Sequence, residues 1–397
     1  MKIRMALAAS AMAVAASAGC SFSGNGDKAG ATARQEPGPR VTVTPGDGTQ
    51  KVRPDQRVSV SVGNGTLTGV EVRGADREVS GAFTNDRASW RANVGLKPST
   101  DYTVEAIAVG KGGRQTRVTT AFTTVGATGS LRIADITPQG ASAEKVGVGF
   151  PIIVDFNRNV TDRAAVERAL KVRSDKPVEG SWYWTSPKQA VYRTKRYWAP
   201  HQKVRFTARL TGVAAGKGIY GSRDYARTFA VGPSHVATVD SRRHIMKVRI
   251  DGVVKRTMRI STGSSERPNF ITASGPHLVM GKKRVEHMDS RWMGVDPKDT
   301  ANGGYSEDIP WAVRITSSGE YVHQGAASAQ RFLGVANMSH GCVRATPQDA
   351  QWFFGIAQRG DVVDVTGTTR PLPWTNGWSY WVKTWDQWQR GSALRSG

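Results

Sequence analysis

Leu96-Lys97-Pro98-Ser99-Thr100-Asp101-Tyr102-Thr103-Val104 has a counterpart later in the chain, Trp198-Ala199-Pro200-His201-Gln202-Lys203-Val204-Arg205-Phe206. Each begins with a large apolar residue, meets proline two positions on, and continues into a segment whose alternate residues are apolar. A side-chain period of two is the mark of a strand with one face buried. The closing strands match as well, Thr120-Ala121-Phe122-Thr123-Thr124 against Arg227-Thr228-Phe229-Ala230-Val231. A repeat of domain length made of strands predicts two β-sandwiches of one type in series, over residues 40–124 and 125–232.

The intervening sequence supports this. Val41 and Val43, then Val58, Val60 and Val62, then Val70 and Val72 alternate, and Pro45-Gly46-Asp47-Gly48 and Gly63-Asn64-Gly65 are turn signals. The second unit carries one helical insert at Thr161 to Leu170, with Asp162 at the start, where an anion suits the helix dipole.

Residues 233–366 form a third region. Strands Ile245 to Ile250 and Val253 to Ile260 flank a tight turn at Asp251-Gly252. Thr346 as cap, Pro347 at the first helical position and Asp349 after it start a helix, which runs to about Gln358 and stops at Gly360 before a strand at Val362 to Val365. The 367–397 tail holds Trp374, Trp378, Trp381, Trp385 and Trp388. Tryptophans in a polar tail pack on a neighbouring surface, here expected to be that of the preceding 233–366 region.

The first twenty residues are a targeting segment. Lys2 and Arg4 precede an apolar run from Met5 to Ala18, too short for a stable membrane span, and Ser17-Ala18-Gly19-Cys20 ends it. This resembles a bacterial lipoprotein signal, which implies lipid on Cys20 and a position on the outer face of the cell membrane. Residues 21–39 read as a flexible tether.

The 397 residues carry a formal charge of +23. An exported chain rarely meets nucleic acid, so no nucleic-acid partner is expected. The available polyanions are lipid head groups and anionic wall polymers. Arg242, Arg243, Lys247, Arg249, Lys255, Arg256 and Arg259 form either a solvated face or a field that holds the protein near them.

There are two cysteines. With Cys20 at the export signal, Cys342 in Ser339-His340-Gly341-Cys342-Val343-Arg344 has no internal partner, so its thiol is either inert or reactive. His323, in Tyr321-Val322-His323-Gln324-Gly325, precedes Cys342 by 19 positions. An imidazole within reach can take a thiol proton and return it to a leaving group. The remaining histidines show no metal-ligand spacing, so no metal and no cofactor is expected.

The order histidine then cysteine, with Ser-His-Gly-Cys-Val-Arg and Asn302-Gly303-Gly304-Tyr305 ahead of both, resembles the bacterial L,D-transpeptidases. The resemblance covers about Val236 to the C-terminus. It implies a mainly β protein: two tandem immunoglobulin-like sandwiches, then a mixed β-sheet catalytic domain with one or two helices. It implies cleavage between residues 3 and 4 of a peptidoglycan stem tetrapeptide by Cys342, release of D-alanine, and transfer of the thioester to a diaminopimelate-type amine. Carbapenem β-lactams are the implied covalent inhibitors.

In roles carried over from that family, Gln324 offers its carbonyl to the His323 ring and Tyr305 either closes over the donor site or simply packs. Met288 either lines the donor pocket or belongs to the core. From the residues themselves, the amides of Gly341 and Cys342 are the natural oxyanion donors, His340 braces the cysteine loop, and Ser339 bonds within it. Arg344 meets either a substrate carboxylate or a structural acid. Carboxypeptidase action and attachment of a protein amine to the wall stay open. A non-catalytic scaffold fits less well, since it needs neither Cys342 nor His323.

Overall fold

The computed structural model describes residues 37–139 and 144–395. Cys20, its signal and most of the tether lie outside the described residues.

Two four-stranded sheets face each other in the first sandwich. One runs in the order Arg40–Thr44, Ser59–Gly63, Ser89–Ala92, Gly81–Phe83, and the other Thr49–Val52, Gln115–Thr124, Asp101–Val109, Thr66–Arg73. Val58, Val60, Leu67, Trp90, Tyr102, Val104 and Phe122 fill the space between them. The second sandwich repeats the plan, with Ile133–Thr137, Ile152–Phe156, Gln189–Thr194 and Gly180–Ser186 against Lys145–Val146, Tyr225–Val231, Gln202–Ala208 and Leu170–Ser174.

The sequence repeat has a register behind it. Tyr102 stands opposite Phe122 in the first sandwich, and Val204 opposite Phe229 in the second, so equivalent strands pair at equivalent positions. Tyr102 also explains the Leu96–Val104 stretch, because its hydroxyl accepts a 2.7 Å bond from the Lys97 amide and closes the turn into the strand. The helical insert forms over Arg163–Ala169, where Asp162 Oδ1 accepts from the Ala165 amide at 3.0 Å.

The third region is a nine-stranded mixed sheet. Its order is Gly275–Leu278, Val362–Thr366, His235–Asp240, Ile245–Ile250, Val253–Ser261, Val343–Ala345, Tyr321–Gln324, Ser306–Arg314, Gly281–Asp289. Two neighbouring pairs are parallel, His235–Asp240 with Val362–Thr366 and Tyr321–Gln324 with Val343–Ala345. Helix Pro347–Ile356 starts at Thr346, whose hydroxyl accepts from the Asp349 amide at 3.1 Å, and buries Ala350 and Phe353. It ends two residues before Gln358, where Ala357 turns the chain towards the Val362–Thr366 strand.

The second sandwich and the sheet are joined edge to edge. The amides of Gly147 and Gly149 donate to the carbonyls of Arg359 and Gly360 at 2.7 and 2.9 Å, and Leu278 and Val362 complete the sandwich core.

The tail corrects one expectation. Only its first part stays on the catalytic domain, where Leu372 bonds Ser274 and Asn376 accepts from the Ser318 amide. Its tryptophans instead turn onto the second sandwich. Trp388, wholly buried, donates to the Ser181 carbonyl at 2.9 Å and lies 4.8 Å from the Tyr183 ring. Trp381 donates to the Gly149 carbonyl and rests on Tyr197. The cause is Arg193, a buried guanidinium lying 4.7, 5.4 and 4.9 Å from the rings of Trp381, Trp385 and Trp388. Its charge needs an aromatic cage, which the tail supplies. Burial lowers the Arg193 pKa to about 10.

Candidate active site

The parallel register sets Cys342 beside His323. His323 stands opposite Arg344, so Arg344 and the residue two before it share the His323 face. Cys342 enters the strand from a loop with little freedom. The Ser339 amide donates to the Thr262 carbonyl, the Ser264 amide to the Ser339 carbonyl, and the Ser339 hydroxyl to the Cys342 carbonyl at 2.6 Å. Thr272 donates to the Gly341 carbonyl at 2.8 Å, and Asn337 ties the loop to Thr262 and Ser241. Gly341 has φ +125°, a conformation that L side chains rarely adopt, which is why glycine precedes the thiol.

One expectation changes here. The Gly341 amide donates to the Ser339 hydroxyl at 3.1 Å, so it is committed to the loop rather than turned to an oxyanion. Serine at 339 can accept this bond and donate its own, and the tight loop brings them together.

His323 is buried, and its Nδ1–H donates to the Gln324 carbonyl at 2.6 Å. A carbonyl only accepts, so the neutral ring keeps its lone pair on Nε2. Burial holds the His323 pKa down at about 4, against the pull of that carbonyl, and the Arg344 charge lowers it further. The Cys342 thiol is pushed up to about 11, chiefly by burial. A backbone hydrogen bond with Tyr321 opposes the rise, and the Glu320 charge adds to it. The thiol points at the Gly319 carbonyl, 3.7 Å away. The resting pair is therefore neutral thiol and neutral imidazole.

Met288, Tyr305, Glu307, Ile309, Gly319, His323, Ser339, His340, Cys342 and Arg344 line one cavity of about 50 Å³. Met288 and Glu307 face it together because they are directly paired across the Gly281–Asp289 and Ser306–Arg314 hairpin. Tyr305 stacks on His340 with ring centres 4.9 Å apart, and Phe270 meets the other side of His340 edge-on at 4.6 Å. His340 thus joins the cysteine loop to the Tyr305 segment. Arg344 donates to the Met338 carbonyl at 3.0 Å and, among the described residues, forms no ion pair, so its charge stays available at the cavity.

Behind the loop is a group that motif reading does not find. The buried Glu320 carboxylate accepts from the Ala273 amide at 3.0 Å and pairs with Arg370, which also donates to the Ile271 carbonyl. These contacts fix residues 271–273, including the Thr272 that holds Gly341. Glu320 and Arg370 are 50 positions apart and neither sits in a motif, so only the fold joins them. The position of Glu320, three before His323 in a run ending at the base, was the only signal. Glu307 gave none.

Residues 234–365 match the model of the L,D-transpeptidase catalytic domain, and residues 49–214 that of a bacterial Ig domain. L,D-transpeptidase 2 of Mycobacterium tuberculosis is 35% identical over 357 residues, spanning 89% of this chain and 85% of that protein.

The chain belongs to the L,D-transpeptidase family.

L,D-transpeptidase 5 of the same organism is 32% identical over 373 residues, 92% of this chain and 79% of its own. Among solved structures, an L,D-transpeptidase bound to imipenem, LdtMt1, aligns with a TM-score of 0.50 at 32% identity, covering 59% of this chain and 98% of that one. The enzyme class is thus an L,D-transpeptidase built on an Ig-like region and a curled mixed sheet.

Proposed function

We propose that this L,D-transpeptidase cross-links peptidoglycan stem peptides through a thioester on Cys342. The observation that carries the reading is His323: its Nδ1–H is fixed by Gln324, and its Nε2 lone pair is left for the cavity that Cys342 also lines.

Cys342 attacks the carbonyl of the third stem residue while its proton passes to His323 Nε2. The carbon–nitrogen bond to D-alanine then breaks, and the amine leaves with the proton from His323. A side-chain amine of a second stem attacks the thioester, loses a proton to His323, and regenerates the thiol. The Cys342 amide stabilises the oxyanion, since the Gly341 amide is held by Ser339. Arg344 receives a substrate carboxylate and Glu307 an ammonium group, a charge pair suited to a diaminopimelate-type residue.

The neutral resting pair suits an enzyme that must keep its thiol from adventitious oxidants until a substrate excludes water. Carbapenems, as ring-strained acyl donors, acylate the same sulfur. The chain works outside the membrane, held by lipid on Cys20, a reading supported by Ser17-Ala18-Gly19-Cys20 after the apolar run.

The test is incubation with a defined tetrapeptide stem, with and without an acceptor amine. Dimer formation that Cys342→Ala abolishes in a folded protein is expected. Tripeptide as the sole product makes the enzyme a carboxypeptidase, and activity in Cys342→Ala rejects the mechanism.

A further inference from the structure

Far from Cys342, between the two sandwiches, lies a cleft of about 840 Å³. Six cations line it: Arg57 from the first sandwich, Arg168 from the helix of the second, and Lys171, Arg173, Arg205 and Arg209 from adjoining strands. Among the described residues none of the six forms an ion pair. Asp55 also lines the cleft, but Arg53 already holds it in a two-bond contact at 2.9 and 2.6 Å.

The arrangement opposes stability. Arg173 stands directly opposite Arg205 in the antiparallel register, and Lys171 lies between Arg205 and Arg209 on the same face. Like charges placed opposite on paired strands destabilise a sheet. Arg57 is in the same position: burial lowers its pKa, and the charges of Arg91 and Arg209 lower it further. The cations singled out in the sequence do not converge like this. Arg256 is paired with Asp349 at 2.9 Å, and Arg259 holds the Leu333 carbonyl.

The cleft is also built in advance. At its floor Gly212, with φ +73°, presses against the first sandwich, where a β-carbon would come within 2.5 Å of the Leu96 carbonyl oxygen. A β-carbon on Gly95 would come equally close to the Thr211 carbonyl oxygen. Backbone contacts this close fix the angle between the sandwiches and hold the cations in place.

We propose that this inter-sandwich cleft binds a linear phosphodiester polymer. Guanidinium forks match phosphate oxygens in pairs, and five of the six cations are arginine. The row from Arg205 to Arg209 extends about 13 Å, longer than one phosphate group, so it fits a chain of anions. The concave shape excludes the flat surface of a bilayer. Bound there, the polymer holds the enzyme at a fixed distance from its wall without touching the catalytic cavity.

The experiment titrates the full chain into a fluorescent poly(glycerol phosphate) decamer at several salt concentrations. Anisotropy should rise, with affinity falling linearly on a log–log salt plot. The double variant Arg173→Ser, Arg205→Ser should bind at least tenfold more weakly with a shallower salt slope. It should also melt no lower than the parent when free, and lose the polymer-induced rise in melting temperature. Equal binding by that variant overturns the proposal. So does equal affinity for polyglutamate, or a preference for anionic lipid vesicles over the polymer. Activity on a soluble stem peptide should stay unchanged in the variant.

Discussion

Nε2 of His277 lies 3.5 Å from Oε2 of Glu320, and both atoms are buried with no hydrogen bond. The other ring nitrogen of His277 lies 2.9 Å from the Gly275 carbonyl. Glu320 therefore depends on Arg370 and the Ala273 amide. Replacing Glu320 by Gln leaves Arg370 without its counter-charge. Because the Arg370 side chain is 29% exposed and water screens the charge left behind, the cost is about 2 kcal/mol, below that of a fully buried pair. Urea unfolding should register a loss of that order, with slower acylation of Cys342 because Thr272 no longer holds Gly341 firmly. A Glu320→Gln protein as stable and as reactive as the parent contradicts this role.

The depressed pKa of His323 has a definite sign in stability. Above pH 6.5 the imidazole is neutral in both folded and unfolded chains, and its contribution is complete. As pH falls from 6.5 towards 4, the unfolded chain takes up a proton that the folded site refuses, and about 3 kcal/mol is lost. Unfolding measured across this range should show a steeper acid limb for the parent than for His323→Gln.

Cys342 behaves in the opposite sense. Its raised pKa contributes stability below pH 9, lost as pH rises through about 11. Alkylation of the free enzyme by iodoacetamide should accelerate steadily with pH over the alkaline range. A plateau near neutrality would reveal a preformed thiolate–imidazolium pair and refute the neutral resting state.

Gly341→Ala separates backbone from side-chain effects. A β-carbon there meets only ordinary contacts, the nearest at 3.7 Å, so the penalty comes from φ +125°. Strain of this kind costs about 1–3 kcal/mol. The variant should melt lower and lose turnover disproportionately, because the carbonyl held by Thr272 and the thiol after it both shift. An intact kcat in the variant argues against a fixed loop.

Trp388→Ala removes a wholly buried indole from between Tyr183, Tyr380 and Arg193. Deletions of buried aromatics cost about 3–5 kcal/mol. Limited proteolysis should then cut the tail ahead of Trp385, whereas the parent resists.

Much of this molecule was legible in its sequence. Alternating valines, the Leu96–Val104 repeat and the Thr346-Pro347 helix start are local signals, and strands and caps are local objects. Contiguity made the cysteine loop readable. The destination of the tail was not, because Arg193 sits in a strand pattern that does not reveal a buried cation awaiting an aromatic cage. Glu320 meets Arg370 where two loops converge and Met288 meets Glu307 through sheet register, and no spacing encodes either. The commitment of the Gly341 amide to Ser339 depends on a loop conformation, and a motif specifies only the residues in it.

The tail has one more effect. The chain leaves the second sandwich at Gly232 and returns to it at Trp381 and Trp388, so everything between forms a ring with both ends fastened. While that clasp holds, an unfolded catalytic domain cannot spread as a free chain. If the catalytic domain unfolds while the clasp stays closed, a ring of roughly 150 residues gains less chain entropy than an open segment would, by on the order of 5 kcal/mol. The aromatic cage around Arg193 therefore guards against local unfolding of the catalytic domain and ceases to act once the second sandwich itself unfolds.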